Sequence, residues 1–379
     1  MADLTQLPLV HQTMFAELAG RCMDAAFDEQ FPENGSFMQV AVKGRSYWYY
    51  AGYRPQPDAA GRDGGNGATA RSRLYVGPVD DPEITSRIAR FATIKTDYRE
   101  RRSMVRSLVA AGLPSPPGLV GDVTEALWKA GLFRLRGVLI GTLAFQTYGG
   151  FLGMRMPGAA IMTGDADFAQ FHAISRDIGD RLPPIMEVLC AVDPTFAAVP
   201  HLGDTLLASK FRNDRGFEVE FLTPNRGSGQ RQGRPVPMPA LGGAGAAPMR
   251  YLDFLLRSPV RSVLLHKGGV PVNVPAPERY AVHKLIVATQ RRGDDNGRQK
   301  ARKDLVQAGV LIEALALERR SEELGLAWME AWARGPRWVA GLTEGMARLD
   351  IGAAAILRRA VIAACAAEGR TAADFGHPG

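Results

Sequence analysis

Residues 137–168, GVLIGTLAFQTYGGFLGMRMPGAAIMTGDADF, decide the fold. The apolar run 137–140 is of strand type and leads straight into Gly141-Thr142, after which Ala144, Phe145 and Tyr148 carry helical spacing. A helix that opens on Gly-Thr presents N–H groups without intrahelical partners beside a hydroxyl, and this combination holds an anion such as phosphate. A second strand is expected over residues 163–168, TGDADF. Side chains alternate faces along a strand, so Asp165 and Asp167 project the same way and can approach one cation together.

Working outward, residues 216–224, GFEVEFLTP, read as a third strand with Glu218 and Glu220 on one face. Either carboxylate can close the cluster; Glu220, set between Val219 and Phe221, is preferred. Mg²⁺ or Mn²⁺ takes oxygen ligands and is commonly shared between carboxylates and substrate phosphates. Two such ions can activate an attacking hydroxyl and neutralise a leaving pyrophosphate. The expected chemistry is therefore phosphoryl transfer from an NTP, with Asp165, Asp167 and Glu220 as metal ligands and Gly141-Thr142 at the phosphates.

The order GVLIGT, TGDADF, VEF resembles the nucleotidyltransferase fold, the superfamily of DNA polymerase β. The run from GLFRLRGVLIGTLAFQTYGG through TGDADFAQ, EVEFLTP, PERYAVHKLIVATQRR and ARKDLVQA is similar, over residues 120–317, to a bacterial family of nucleotidyltransferase-fold proteins. That family is akin to abortive-infection and toxin nucleotidyltransferases. The resemblance implies transfer of an NMP from an NTP to RNA or tRNA, a protein or a small molecule, in a toxin or defence setting. It also implies that Lys284, within HKLIVA, holds the triphosphate and that Asp304, within ARKDL, joins the site. Three features depart from the superfamily pattern: Gly141 and Asp165 stand 24 positions apart, Gly164 replaces an apolar residue, and the third carboxylate is Glu.

The expected class is α/β (α+β): an N-terminal α+β unit over residues 1–115, a nucleotidyltransferase core with a mixed sheet over 120–275, and a C-terminal helical bundle over 276–379. The first unit reads as a helix through Phe15, Leu18 and Phe27, a hairpin over 37–53 with a partner strand over 73–76, a loop over 54–70, and one long helix over 82–111. Asp81 caps that helix, and a basic surface runs from Lys95 through Arg99, Arg101, Arg102 and Arg106. Residues 225–248, rich in Gly, Pro and Arg, read as a long loop. Residues 291–304 read as a basic stretch between two helices.

Charge and composition narrow the partners. The 379 residues are 46% apolar and 22% charged, and no run of uncharged apolar residues is long enough to cross a membrane. Cys22, Cys190 and Cys365 are far apart, which speaks against a disulfide framework. The opening MADLTQLPLVHQTMFAELAG lacks the pattern of a signal peptide, so a cytoplasmic location is expected. Of the net charge of +7, a balance of +5 lies in residues 284–303, with seven Lys or Arg against Asp294 and Asp295. That segment is expected to receive NTP phosphates, RNA or DNA. His266 and His283 have no Cys or His at zinc-ligand spacing and are expected to be structural or surface residues. The rival readings are a catalytically silent module that grips nucleic acid or a protein, and a metal-dependent nuclease.

Overall fold

The computed structural model describes residues 4–31, 35–42, 44–55, 69–91, 98–158, 165–200, 207–225 and 234–377. In chain order, the first unit contains β1 (Thr5–Gln6), α1 (Leu9–Gln30), β2 (Ser36–Val42), β3 (Arg45–Pro55), β4 (Thr69–Pro78), α2 (Pro82–Ala89) and α3 (Tyr98–Ala110). The middle contains α4 (Gly118–Ala130), β5 (Val138–Ile140), α5 (Gly141–Phe151), β6 (Met154–Arg155), β7 (Asp165–Ala169), α6 (His172–Asp177) and α7 (Ile185–Cys190). There follow β8 (Ala197–Ala198), β9 (Lys210–Arg212), β10 (Glu218–Pro224), β11 (Val236–Pro237), β12 (Gly245–Met249) and α8 (Leu252–Leu255). The hairpin β13 (Val260–Leu264) and β14 (Val270–Val274) leads to α9 (Pro277–Thr289), α10 (Asp295–Leu317), α11 (Ser321–Trp332), α12 (Pro336–Ala347) and α13 (Ile351–Ala367).

The central sheet is mixed, in the order β11-β12-β10-β7-β5, and β9 joins β10 on the side away from β7. β10 runs parallel to β7 and β12, whereas β5 is antiparallel to β7. The class is α/β, as expected. α5 is buried on every face from Thr142 to Gly150, which fits a helix with no charged residue. One apolar cluster extends from Val120 and Leu127 of α4 through the sheet to Leu311, Trp328, Leu357 and Phe375. α1 and α3 share a second cluster with Val263 and Leu265, and β2–β4 share a third with Ile84 of α2. Gly325 lets α11 approach α13 closely, because a Cβ there would stand 2.4 Å from the Ala360 carbonyl oxygen.

Several expectations need correction. Residues 82–111 form two helices rather than one: α2 ends at Ala89, and the Arg90 N–H bonds back to Ser86 and Arg87. The two helices serve different cores, since Ile84 packs on the three-stranded sheet and Val105 and Leu108 pack on α1. The Asp81 cap is as read, accepting from the N–H groups of Glu83 and Ile84 at 3.0 and 3.1 Å. Arg101 is not a surface residue; it is buried, and its guanidinium donates to the Gly268 carbonyl at 3.3 Å. Lys95 lies outside the described residues.

Residues 225–248 are not all loop, because β11 and β12 add to the sheet and Met238, Ala240, Leu241 and Ala246 are buried. A pairing partner supplied by distant β10 overrides the turn-forming composition. The basic stretch 291–304 is largely the start of α10, capped by Asp294, whose carboxylate accepts from the Gly297 N–H at 2.7 Å. α12 falls within the helical bundle expected over 276–379. Most of the 54–70 loop, and Thr163 and Gly164 of TGDADF, lie outside the described residues.

Candidate active site

The site grows from strand register. β10 places Glu218 beside Asp165 and Glu220 beside Asp167, and β5 places Ile140 beside Asp167. Paired residues on neighbouring strands point to the same face, so the four carboxylates form a two-by-two grid at one end of the sheet. The next residue after Ile140 is Gly141, which opens α5 in the left-handed region at φ +66°. A Cβ there would stand 2.8 Å from Asp167 Oδ2. The conformation favours glycine, and a Cβ there would displace the Asp167 carboxylate oxygen. The helix start thus stands against Asp167 although 23 residues separate Gly141 from Asp165.

The C-terminal helices close the other side. Tyr280 of α9 is buried, with its hydroxyl 2.9 Å from the Gly141 carbonyl oxygen and 3.0 Å from Gln307 Oε1 of α10. Gln307 Nε2 in turn lies 3.5 Å from Thr142 Oγ1. Lys284 lies with its ammonium 5.2 Å from the centre of the Tyr280 ring and donates to Asp304 Oδ1 at 2.5 Å. Arg291 donates to the other oxygen of Asp304 at 2.7 Å. Burial alone would raise the Asp304 carboxyl, but Lys284 and Arg291 outweigh it and hold the group below its ordinary value.

Electrostatics distinguish the four carboxylates. Asp167 is pushed up to about 7, first by burial and then by the charges of Asp165 and Glu220, with only partial relief from Lys284 and Lys210. Glu220 is also raised by burial, against Lys210. For Glu218, burial is outweighed by Arg212 and Lys210, which hold it below the usual carboxylate range. Negative charge is thus undercompensated at Asp167. A hard cation relieves such crowding, and oxygen donors from Asp165 and Asp167 suit Mg²⁺ or Mn²⁺.

Asp165, Asp167, Glu218, Glu220, Gly141 and Thr142 are therefore gathered at one sheet end. The charge of Lys284, on α9, acts on Asp167, and Asp304 of α10 is tied to Lys284 by their ion pair. Lys303 lies within the field of Asp165 as well as Asp304. A second acidic cluster stands elsewhere: ligand atoms of Asp122, Glu125 and His266 lie within 4.8 Å of one another. Lys267 already places its ammonium 2.6 Å from Asp122 and 2.7 Å from Glu125. That group reads as an ion-pair network, with His266 Nε2 2.9 Å from Asp122 Oδ1.

Comparison with known families bears on the same stretch. A family model described as Nucleotidyltransferase matches residues 118–333, more than half of the chain. The chain belongs to the nucleotidyltransferase family. The match begins with α4 and ends just after α11, so it takes in the sheet, the Gly141-Thr142 step and the helices that carry Lys284 and Asp304. No curated protein and no solved structure matches the chain. Among residues at or beside the site of this family member, the sequence reading gave no functional role to Lys210, Arg212, Tyr280 and Gln307. The alternation Lys210-Phe211-Arg212 was visible as a strand with two cations on one face; Tyr280 and Gln307 carried no such signal.

Proposed function

We propose that this nucleotidyltransferase moves a nucleoside monophosphate from an NTP to an acceptor and releases pyrophosphate, using Mg²⁺ or Mn²⁺. The observation that supports it most is the register pairing of Asp167 with Ile140 on one side and Glu220 on the other, which sets carboxylates against the start of α5. Asp165 and Asp167 are the proposed metal ligands, with Glu220 the third carboxylate of the site. The bound cation would supply charge neutralisation at the phosphates and a lowered pKa for an attacking hydroxyl. The chain's own part is to hold the triphosphate. Free N–H groups at the start of α5 and the Thr142 hydroxyl face the phosphates, and Lys284 and Lys303 provide positive charge from the helical side. Asp304 holds the Lys284 ammonium in place.

The acceptor classes in this reading are RNA or tRNA, a protein hydroxyl and a small molecule, in a toxin or defence role and a cytoplasmic setting. The test is transfer of label from an α-labelled NTP, with the Asp165→Ala, Asp167→Ala double variant as the comparison. Turnover should vanish in the variant, and equal turnover by both chains would end the proposal. A catalytically silent nucleic-acid binding module is the second reading, favoured by exposed Arg292, Lys300 and Arg302 beside the site. In that case RNA or DNA binds without Mg²⁺ or NTP, and the logarithm of affinity falls with the logarithm of salt at a slope of about −2 to −3 for three phosphate contacts.

A further inference from the structure

The tyrosine that α9 brings to the start of α5 has no part in the transfer reading. Its hydroxyl donates to the Gly141 carbonyl oxygen at 2.9 Å and to Gln307 Oε1 at 3.0 Å, one proton serving both oxygens as in the three-centre bonds common at helix ends. Tyr280 and Gln307 are buried, so water does not compete for that proton. Burial above all pushes the phenol well above its ordinary value, and it remains a donor. The carbonyl it holds is a special one. Gly141 is the first residue of α5, yet its φ of +66° is not helical, and the N-cap position before it is Ile140, whose side chain cannot accept from the first N–H groups. Without a Cβ at Gly141, the peptide that follows can turn over at little steric cost. A trans peptide is planar, with C=O and N–H pointing opposite ways, so whatever holds the Gly141 carbonyl also aims the Thr142 N–H.

We propose that Tyr280 is a positioning residue of the transfer site, locking the Gly141–Thr142 peptide so that the Thr142 N–H points out of α5 at the triphosphate. This deepens the reading of the α5 start as the triphosphate holder and rests on it. The first N–H groups of a helix point out of its open end and carry partial positive charge there. Turned over, the peptide would offer a carbonyl oxygen instead, and its partial negative charge repels a phosphate. A carbonyl has two lone pairs, so the bond from Tyr280 is compatible with the intrahelical one and adds a second restraint where the backbone has left helical geometry. Gln307 of α10 braces the same point, since its Oε1 shares the Tyr280 proton and its Nε2 lies 3.5 Å from Thr142 Oγ1. Lys284 stands four residues after Tyr280 on α9, with its ammonium 5.2 Å from the centre of the ring. One face of α9 therefore delivers both the positive charge and the lock.

The test uses the full chain and magnesium tripolyphosphate, a triphosphate without a nucleoside. Tyr280→Phe keeps the ring beside Lys284 and removes the hydroxyl. Its dissociation constant for tripolyphosphate, by calorimetry, should rise about ten- to a hundredfold, the worth of one hydrogen bond to a charged group. In labelled-NTP transfer the same factor should appear in KM rather than in kcat. A merely structural tyrosine would lower the urea midpoint and leave both constants alone, and that result in a folded Tyr280→Phe would overturn the inference. A second measurement needs no change at Tyr280. In the wild type labelled with ¹⁵N-threonine, the Thr142 amide proton, assigned with Thr142→Ser, should move downfield as tripolyphosphate binds. A Thr142 amide that stays in place while calorimetry shows tripolyphosphate bound would overturn the inference and leave the transfer reading intact. A wild type that binds no tripolyphosphate would overturn the triphosphate reading on which the inference rests.

Discussion

Gly141 shows how much one residue decides. Its φ of +66° costs a residue with a side chain about 1–2 kcal/mol, and the missing Cβ leaves room for Asp167 Oδ2. Gly141→Ala should therefore lower stability by about that amount in urea unfolding. It should lower labelled-NTP transfer by about a hundredfold, since displacing a reacting group by an ångström can cost that much. A variant that loses the stability and keeps the rate would separate the glycine from catalysis. The Gly-Thr step and the D-x-D strand were legible because their local patterns carry the chemistry. The Lys210 contact was not, because β9 and β10 meet through a turn whose register the sequence does not specify.

At the scale of elements, α9 and α10 are joined by an ion triad centred on buried Asp304. Asp304 is almost fully buried between Lys284 and Arg291, so removing Lys284 leaves a carboxylate with one of its two partners. Lys284→Met should cost about 3–5 kcal/mol in urea unfolding, the usual penalty for breaking a buried pair. Combining it with Asp304→Leu should recover most of that loss, since Arg291 is exposed and can be hydrated. If Lys284 served the triphosphate alone, the single variant would keep its stability and lose only NTP affinity. The resemblance brought Lys284 and Asp304 to one site; the structure adds Arg291, which the sequence reading had taken only as part of a basic stretch. Helical periodicity marked α10 only from Leu305 onward because its first turns are polar and their inward residue is the charged Asp304.

For the whole molecule, burial of titratable groups sets the response to pH. His283 is lowered to about 3, first by burial and then by the charge of Lys284, with Asp304 opposing, so the folded chain keeps it neutral. An unfolded chain protonates the same imidazole near 6.5. Between those values the unfolded state binds the extra proton, so stability falls as pH falls from about 6.5 towards 3. The limiting slope from this group is about 1.4 kcal/mol per pH unit. Plotting unfolding free energy against pH for the wild type and His283→Leu should give curves that diverge over that window, with the variant the flatter. Glu330 adds the same sign at lower pH: burial is outweighed by Arg279 and Arg334, which hold it at about 2. Its stabilising contribution is full above the ordinary carboxylate pKa and disappears as pH falls towards 2.

What the sequence by itself determined was local: the alternating strands, the glycine at the start of α5, the aspartate pair on one face and the excess of positive charge near α10. These follow from short-range periodicity and from residue chemistry, which a linear reading sees in full. Only the tertiary structure decided which strands are neighbours, and so that Glu218 and Glu220 pair with Asp165 and Asp167 while Lys210 and Arg212 face them from the far side. It also decided that part of the apparent basic patch is spent within the chain, Lys284 and Arg291 on buried Asp304 and Arg298 on Asp295 at the surface. The reason is physical. A charge is legible in the sequence, but its partner is set by which elements bury their apolar faces together, and that is a property of the packed chain.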